Sequence, residues 1–121
     1  MVQIAPSSSR RAGDLLVTLT WIGPEALAMV NGRVDPSTID LLRTRLDEAV
    51  ARGARRITLE VSQVRFLSPV CTEVLTDVAR RLRAKGGDLV VLDAPPPLRG
   101  LLSQFRLDGE LSVVSAFGDR P

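Results

Sequence analysis

The sequence contains no histidine, no tyrosine and a single cysteine, Cys71. Histidine general bases and histidine metal ligands are therefore excluded. One cysteine can form neither an internal disulfide nor a cysteine-rich metal site. No apolar run approaches the roughly 20 residues that a membrane-spanning helix needs. We therefore predict a cytoplasmic protein that uses no metal and no other cofactor.

Aromatic residues and net charge are also scarce. Aromatic side chains make up 3% of the 121 residues, so the core must be aliphatic. Sixteen basic and fourteen acidic residues give a net charge of +2, which is too balanced for a dedicated nucleic-acid binder. A chain of this length predicts one domain, and it should bury about 65% of its unfolded surface in a single core.

Sequence templates for catalysis are missing as well. The chain has no G-x-x-x-x-G-K-[ST] loop, no G-x-G-x-x-G and no G-x-S-x-G. A serine hydrolase would lack its histidine base. The carboxylate pairs Asp47-Glu48 and Glu73/Asp77 are typical of solvated helix faces. The basic residues from Arg80 to Lys85 are best interpreted as a helix end that matches the helix dipole. The sequence therefore predicts a protein that is not an enzyme.

The first third of the chain predicts an arm and a hairpin. Residues 1–13 are polar and aperiodic, and we interpret them as a flexible arm before a domain over residues 14–116 and a tail over residues 117–121. Residues 15–22 and 25–30 predict two strands joined by a turn at Gly23-Pro24. Arg10-Arg11 before an apolar stretch resembles a twin-arginine export signal, but Asp14 and the break after residue 22 favour the arm.

The remaining chain alternates helices with strands. Asp35-Pro36 predicts an N-cap and first turn, followed by a helix that ends near Arg52-Gly53. Ser68-Pro69 repeats this pattern before a second helix. Strands are predicted over residues 57–61, 89–92 and 111–114, and a short helix over residues 98–105. This order predicts an α/β domain with a mixed, mostly parallel sheet, an N-terminal hairpin at one edge and helices mainly on one side.

The segment from residue 61 to residue 75 stands out as a candidate site. A strand, a loop and a helix N-terminus meet there, at the carboxyl end of a strand, where open α/β sheets bind ligands and partners. A helix N-terminus also favours anions, so nucleotide binding is one hypothesis. Cys71 lies near the start of this helix, where a reactive thiol could form, but a lone cysteine among valines is more often a small buried hydrophobe.

The sequence contains four motifs whose order along the chain resembles that of the STAS domain family, the anti-sigma-factor antagonists. Gly32, Val34, Asp35 and Thr38 match a family pattern of the type G-x-[LV]-D-x-x-[ST]. Residues 66–75 (F-L-S-P-V-C-T-E-V-L) are similar to F-L-D-S-S-G-[LV]-x-x-L. K-G-G-D-L-V-V-L at residues 85–92 and L-R-G-L-L at residues 98–102 complete the resemblance, which covers about residues 15–115.

The resemblance implies a regulatory mechanism. Family members bind a serine-kinase anti-sigma factor, and the kinase phosphorylates the second serine of D-S-S-G and dissociates. Here Ser68, Pro69, Val70 and Cys71 stand at the four motif positions, so Val70 occupies the phosphoacceptor position and has no hydroxyl. The usual switch cannot operate there. Ser68 or Thr72 could substitute, although Ser68 is more simply interpreted as a helix cap.

We therefore predict a protein-binding module whose partner is a serine-kinase anti-sigma factor or another STAS protein. Its predicted contact residues lie in two loops: Gly32, Asp35, Thr38, Ser68, Pro69, Val70, Cys71, Thr72 and Glu73. Two alternatives stay open, a scaffolding STAS subunit of a larger assembly or lipid-transport complex, and nucleotide binding at the helix N-terminus. An exposed edge strand would also allow the protein to form a homodimer.

Overall fold

A computed structural model describes residues 7–104 and 112–114 of the chain. Three helices are interspersed among the strands: α1 (Ile39–Ala51), α2 (Cys71–Ala84) and α3 (Pro96–Gln104). The six strands are β1 (Ser8–Ala12), β2 (Leu15–Ile22), β3 (Glu25–Val34), β4 (Arg56–Leu67), β5 (Asp88–Leu92) and β6 (Ser112–Val114). No helix in this part of the chain is long and apolar enough to cross a membrane.

The strands form one sheet in sequence order, from β1 to β6. β1, β2 and β3 pair antiparallel, and β3, β4, β5 and β6 pair parallel. The predicted hairpin is present, because β2 and β3 pair from Leu15↔Gly32 to Ile22↔Glu25. The parallel pairs follow from the helical crossovers between consecutive strands. The prediction of a mixed, mostly parallel sheet is therefore confirmed.

The prediction of a flexible arm over residues 1–13 is wrong for its second half. Ser8–Ala12 form a strand that pairs with β2, so β1 and not the hairpin lies at the sheet edge. The Ser9 and Thr18 hydroxyls are 2.8 Å apart across this pair. Arg45 of α1, which is 1% exposed, donates from Nη2 to the Ser8 carbonyl oxygen at 2.6 Å. The predicted tail over residues 117–121 lies outside the described residues.

A single aliphatic core lies between the helices and one face of the sheet. Alternate residues of β2 and β3 point into it, as the period of two requires. The helices supply the other half of this core from their apolar faces. The largest fully buried apolar side chains are Leu15, Leu19, Leu46, Ile57, Leu59, Leu75, Leu82, Leu89, Leu98 and Leu102.

Helices α1 and α2 begin two to three residues later than predicted. The helix predicted from Pro36 begins at Ile39, and the helix predicted from Pro69 begins at Cys71. In both cases a turn precedes the helix: the Ile39 amide donates to the Asp35 carbonyl oxygen at 2.9 Å, and the Cys71 amide donates to the Ser68 carbonyl oxygen at 3.1 Å. Asp35 and Ser68 therefore start turns and are not the N-caps.

Candidate functional site

Three loops meet at the carboxyl edge of the parallel strands. The turn between β1 and β2, the loop after β3 and the loop after β4 all lie there. The last paired residues of β3 and β4 are Val34 and Leu67, and the Ser68 amide donates to the Val34 carbonyl oxygen at 2.8 Å. The parallel pairing thus places the two loops singled out in the sequence side by side.

Gly32 allows the β1–β2 turn to pack closely against this edge. Its φ is +118°, and a Cβ atom at this position would overlap the carbonyl oxygen of Asp14. Only glycine combines this conformation with so close a backbone approach. The Asp14 carboxylate in turn pairs with Arg65 of β4 at 2.6 Å. Gly32 is buried, so its contribution to the site is to shape it.

A hydrogen-bond network fixes the loop after β3. One carboxylate oxygen of Asp35 accepts from the Ser37 hydroxyl at 2.6 Å, the Ser37 amide at 2.9 Å and the Thr38 amide at 3.1 Å. The hydrogen bond from the Ser37 hydroxyl is the largest effect on the pKa of Asp35 and holds it below its ordinary value. Burial, the next largest effect, acts in the opposite direction, and the Ser37 amide and the Thr38 hydroxyl and amide lower the pKa further. Thr38 is buried, and its hydroxyl donates to the Arg33 carbonyl oxygen at 2.8 Å. The loop is therefore preorganised.

The turn from Ser68 to Glu73 presents a mixture of buried and exposed residues. Cys71 and Thr72 are buried, Ser68 and Val70 are half-buried, and Pro69 and Glu73 are exposed. Burial raises the pKa of the Cys71 thiol to about 11, so the thiol is neutral near pH 7 and does not match a reactive cysteine.

Both hydroxyl groups of this turn face the backbone of the turn itself. Thr72 Oγ1 donates to the Pro69 carbonyl oxygen at 2.8 Å, and the Val70 amide donates to Ser68 Oγ at 3.4 Å. The latter distance is at the limit of a hydrogen bond. Thr72 is 7% exposed. The Thr72 hydroxyl is therefore not free at the surface of the turn, whereas Ser68 is half-buried and its hydroxyl has only this marginal contact.

Arg33 and Phe66 form a surface feature that the predicted residue set does not include. The Arg33 guanidinium lies 4.3 Å from the centroid of the Phe66 ring, and Phe66 is 42% exposed. Phe66 stands in the motif that resembles the family, which is the only signal in the sequence that points to it. Its exposure follows from a register shift between Gly32 and Arg33, after which Phe66 pairs with Arg33.

The cleft beside this edge is small. It has a volume of about 30 Å³ and is lined by Val64, Arg65, Phe66, Leu67, Pro95 and Pro97. Small-molecule sites usually span roughly 300–1,000 Å³, so the cleft does not fit a nucleotide. Within residues 7–104 and 112–114, no group of three or more histidine, cysteine or acidic side chains could hold a metal ion.

The basic cluster at the end of α2 takes part in helix packing. Both terminal nitrogens of Arg81 donate to Asp47 of α1, at 2.9 and 2.6 Å. The ion pair within α2, between Arg81 and Asp77, is longer at 3.5 Å. Lys85 lies 3.4 Å from the Val50 carbonyl oxygen of α1. These contacts join α2 to α1 and support a structural role for the basic cluster.

Comparison with known protein families gives a match over most of the chain. A family model described as "Mlab, STAS domain" matches residues 23–115, well over half of the chain. The chain belongs to the STAS domain family. The order and spacing of the motifs therefore identified the family correctly.

Relatives of this STAS domain include named anti-sigma factor antagonists. BtrV of Bordetella bronchiseptica, which is named as such an antagonist, is 27% identical over 104 residues, covering 86% of this chain and 87% of BtrV. The anti-sigma F factor antagonist of Paenibacillus polymyxa is 29% identical over 82 residues, covering 67% and 70%. The unphosphorylated form of the antagonist SpoIIAA shares the fold with a TM-score of 0.66 at 14% identity, covering 92% and 90%.

The nine residues predicted to form the contact surface of this STAS domain all lie at the carboxyl edge. Four are buried and shape the loops: Gly32, Thr38, Cys71 and Thr72. The other five are partly or fully exposed: Asp35, Ser68, Pro69, Val70 and Glu73. Arg33 and Phe66 border them, and the Asp14–Arg65 pair lies at the end of β4. We call the exposed part of this edge, Arg33, Asp35, Phe66, Ser68, Pro69, Val70 and Glu73, the docking edge.

Proposed function

We propose that this STAS domain is a non-catalytic regulatory module that binds a protein partner through the docking edge. The observation that carries the proposal is the combination of exposed Phe66 and Pro69 with half-buried Val70 on a preorganised frame. Exposed apolar residues with a polar rim are the usual anatomy of a protein interface. The frame is fixed by buried Gly32 and Thr38, so little ordering entropy opposes binding.

The proposed partner is a serine-kinase anti-sigma factor or a related regulator. The names of both curated relatives, which share 27% and 29% identity with this chain, support an anti-sigma factor as the target. The resemblance of residues 66–75 to the family's kinase-contacting segment supports a kinase-type partner. In this proposal Phe66, stacked on Arg33, is the aromatic anchor of the contact, since buried aromatics and arginines dominate interface energetics.

The proposed binding is not switched by phosphorylation at position 70. Val70 stands where the family carries its phosphoacceptor serine. The two nearby hydroxyls offer poor substitutes, because Thr72 is buried and donates to Pro69, and Ser68 is half-buried beside Pro69. A phosphate would bring a charge of roughly −1.5 to −2 into the interface. Without an acceptor this source of repulsion is absent, and the complex should persist in ATP.

The test is affinity capture by the tagged full chain from its native cell extract, with and without ATP. Mass spectrometry identifies the bound protein and any phosphosite on the bait. We expect an anti-sigma kinase that is retained in ATP and a bait without phosphate. Phosphate on Ser68 or Thr72 with ATP-driven release would contradict the unswitched mechanism and show that the acceptor has moved. The same capture by a Phe66→Ala variant tests whether retention uses the docking edge.

A second candidate is a scaffolding subunit of a larger assembly, such as a lipid-transport complex. The observation that favours it is the family model itself, whose description names Mlab, together with the missing hydroxyl at position 70. A constitutive subunit needs no phosphoacceptor. Capture of transporter or scaffold proteins in place of an anti-sigma kinase would favour this candidate over the first.

A further inference from the structure

The end of the sheet opposite the docking edge collects basic residues from two separate parts of the chain. The parallel strands β3, β4 and β5 begin there, in the register row Glu25↔Arg56↔Asp88. Helices α1 and α2 end there, and they bring with them the basic runs at residues 51–56 (A-R-G-A-R-R) and 80–85 (R-R-L-R-A-K). The turn of the β2–β3 hairpin closes the same end. We call the basic pole the surface formed by five exposed residues of this end: Ile22, Pro24, Arg52, Arg55 and Lys85.

Backbone contacts hold the parts of the basic pole together. The Arg55 amide donates to the Pro24 carbonyl oxygen at 2.8 Å, which ties the hairpin turn to the start of β4. Gly87, which follows α2, packs so closely on the Arg55 carbonyl oxygen that a Cβ atom would overlap it. Lys85 Nζ lies 3.4 Å from the Val50 carbonyl oxygen at the end of α1. The two basic runs, which are far apart in the sequence, therefore form one continuous surface.

Two cations of the basic pole are not neutralised by a neighbouring carboxylate. Asp88 accepts from Arg56 Nε at 2.8 Å, and the charges of Asp88 and Glu25 raise the pKa of Arg56 further. Both carboxylates of this strand row therefore already face a cation. Arg55 and Lys85, in contrast, have no carboxylate partner within residues 7–104 and 112–114. Exposed cations without such a partner attract anionic ligands and surfaces.

The hairpin tip adds apolar surface beside these cations. Ile22, the last residue of β2, is 40% exposed. Its neighbour Trp21 packs against the core, and the Arg52 guanidinium lies 5.2 Å from the centroid of the Trp21 ring. Arg52 stays 59% exposed, with a long contact of 3.8 Å to Glu48. An apolar tip flanked by cations is typical of proteins that lie on anionic membranes, because the apolar side chain enters the interface while the cations meet the headgroups.

We propose that the basic pole docks this domain end-on onto an anionic lipid bilayer, with Ile22 at the interface and the three cations against the phosphate headgroups. Charge complementarity and the exposed aliphatic tip together favour a bilayer as the partner. A nucleic acid fits less well, because Trp21 packs against the core and leaves the pole without an exposed aromatic ring for base stacking. The docking edge lies at the opposite end of the sheet, so a protein bound there would not compete with the membrane.

The test is cosedimentation of the full chain with vesicles of phosphatidylcholine alone or of phosphatidylcholine mixed with phosphatidylglycerol. We expect binding to the anionic vesicles only, and weaker binding as the salt concentration rises. Each cation near an anionic membrane strengthens binding about fivefold, so Arg55→Glu and Lys85→Glu should each weaken it at least about tenfold. Ile22→Ser should weaken binding at every salt concentration, because salt does not screen an apolar contact.

Arg43→Glu is the matched control for the two charge reversals. It makes the same change in net charge in the first half of α1, at a side chain that is 46% exposed and distant from the basic pole. This variant should therefore bind like the wild type. Trp21 is the only tryptophan of the chain and lies beside Arg52, so its fluorescence should change with anionic vesicles and not with neutral ones.

Equal losses for Arg43→Glu and Arg55→Glu would mean that net charge alone governs binding, and would overturn the proposal. Failure of the wild type to bind anionic vesicles would also overturn it, and binding of polyglutamate in their place would assign the basic pole to an acidic protein. Circular dichroism of each variant checks that the fold is retained. The measurement needs no anti-sigma factor, so its outcome is independent of the function proposed for the docking edge.

Discussion

The guanidinium of Arg33 is stacked over the ring of Phe66, 4.3 Å from its centroid, at the end of the sheet where the two site loops meet. The stacking holds the ring in place while 42% of Phe66 stays exposed. A rigid, half-exposed aromatic side chain loses little entropy on binding and still has apolar surface to bury. This relationship makes Phe66 the first residue to test.

Phe66→Ala should weaken partner binding about 10- to 100-fold, which is typical of the loss of an aromatic anchor. The free energy of unfolding should fall by less than about 1.5 kcal/mol, because the ring is only partly buried. Isothermal titration with the captured partner measures the affinity. Ile22→Ala is the matched control, since Ile22 is 40% exposed but lies at the opposite end of the sheet. Equal losses for both variants would contradict a specific role for Phe66.

Gly32→Ala should be strongly destabilising, by about 3 kcal/mol or more. The added Cβ would overlap the Asp14 carbonyl oxygen, and the φ of +118° is strained for any other residue. Gly53→Ala is the control: its φ is +92°, but no atom lies near the added Cβ. It should cost only about 1–2 kcal/mol. Urea denaturation of both variants separates overlap from backbone strain, and similar values would rule out the close approach to Asp14.

The sequence predicted the sheet well because its central strands follow simple periodicity. Leu15, Val17 and Leu19 alternate strictly, and the glycines after α1 and α2 end the helices as expected. β1 escaped prediction because Ser8–Ala12 has no apolar alternation; a buried arginine 37 positions along the chain fixes it. This contact forms only in the folded chain, so local sequence patterns cannot predict it.

The sequence predicted which loops lie side by side but not which of their side chains are exposed. The order of strands and helices brings the loops after β3 and β4 together, and that order is visible in the sequence. Exposure is a different matter. Two register shifts in the β3–β4 pairing, between Met29 and Asn31 and between Gly32 and Arg33, decide which side chains point outward. Strict alternation cannot anticipate such bulges, and the exposure of Phe66 was therefore not predicted.

Arg45→Met should release β1 from the rest of the sheet. The Arg45 side chain is 1% exposed, and it donates to the Ser8 carbonyl oxygen at 2.6 Å and to Glu48 at 3.1 Å. Methionine keeps much of the apolar stem but loses these charge-assisted bonds, at a cost of about 2–3 kcal/mol. Hydrogen exchange should show faster exchange of the β1 amides, with β4 and β5 unchanged. Uniformly faster exchange would mean that Arg45 supports the whole core.

Acid should weaken the loop after β3 through Asp35. Hydrogen bonds from Ser37 and Thr38 lower the pKa of Asp35 below the ordinary value of 3.8. The unfolded chain then takes up this proton first, so the stabilisation is complete above about pH 4 and is lost as the pH falls through the folded pKa. Ser37→Ala removes the largest contribution and should raise the Asp35 pKa, as measured by carboxyl NMR titration. An unchanged value would show that the backbone amides suffice.

Variants at position 70 test whether the proposed binding at the docking edge can be switched by phosphorylation. Val70→Ser restores a hydroxyl at the family's phosphoacceptor position, at the N-cap of α2. With the cognate kinase and ATP, this variant should become phosphorylated and dissociate, whereas the wild type should stay bound. Val70→Ala is the control: it removes the same methyl groups without adding an acceptor, and it should behave as the wild type does in ATP. Release of both variants would point to lost packing and not to phosphorylation.

Val70→Asp tests the effect of a negative charge at position 70 without any phosphorylation step. A carboxylate at a helix N-cap is favourable for the helix, because it accepts from free amides and matches the dipole. The variant should therefore stay folded, with a melting temperature within a few degrees of Val70→Asn. Partner affinity should nevertheless fall at least about tenfold relative to Val70→Asn, since only the aspartate brings a charge into the contact. Equal affinities of the aspartate and asparagine variants would mean that position 70 lies outside the interface, and the search for a switch would move to Ser68.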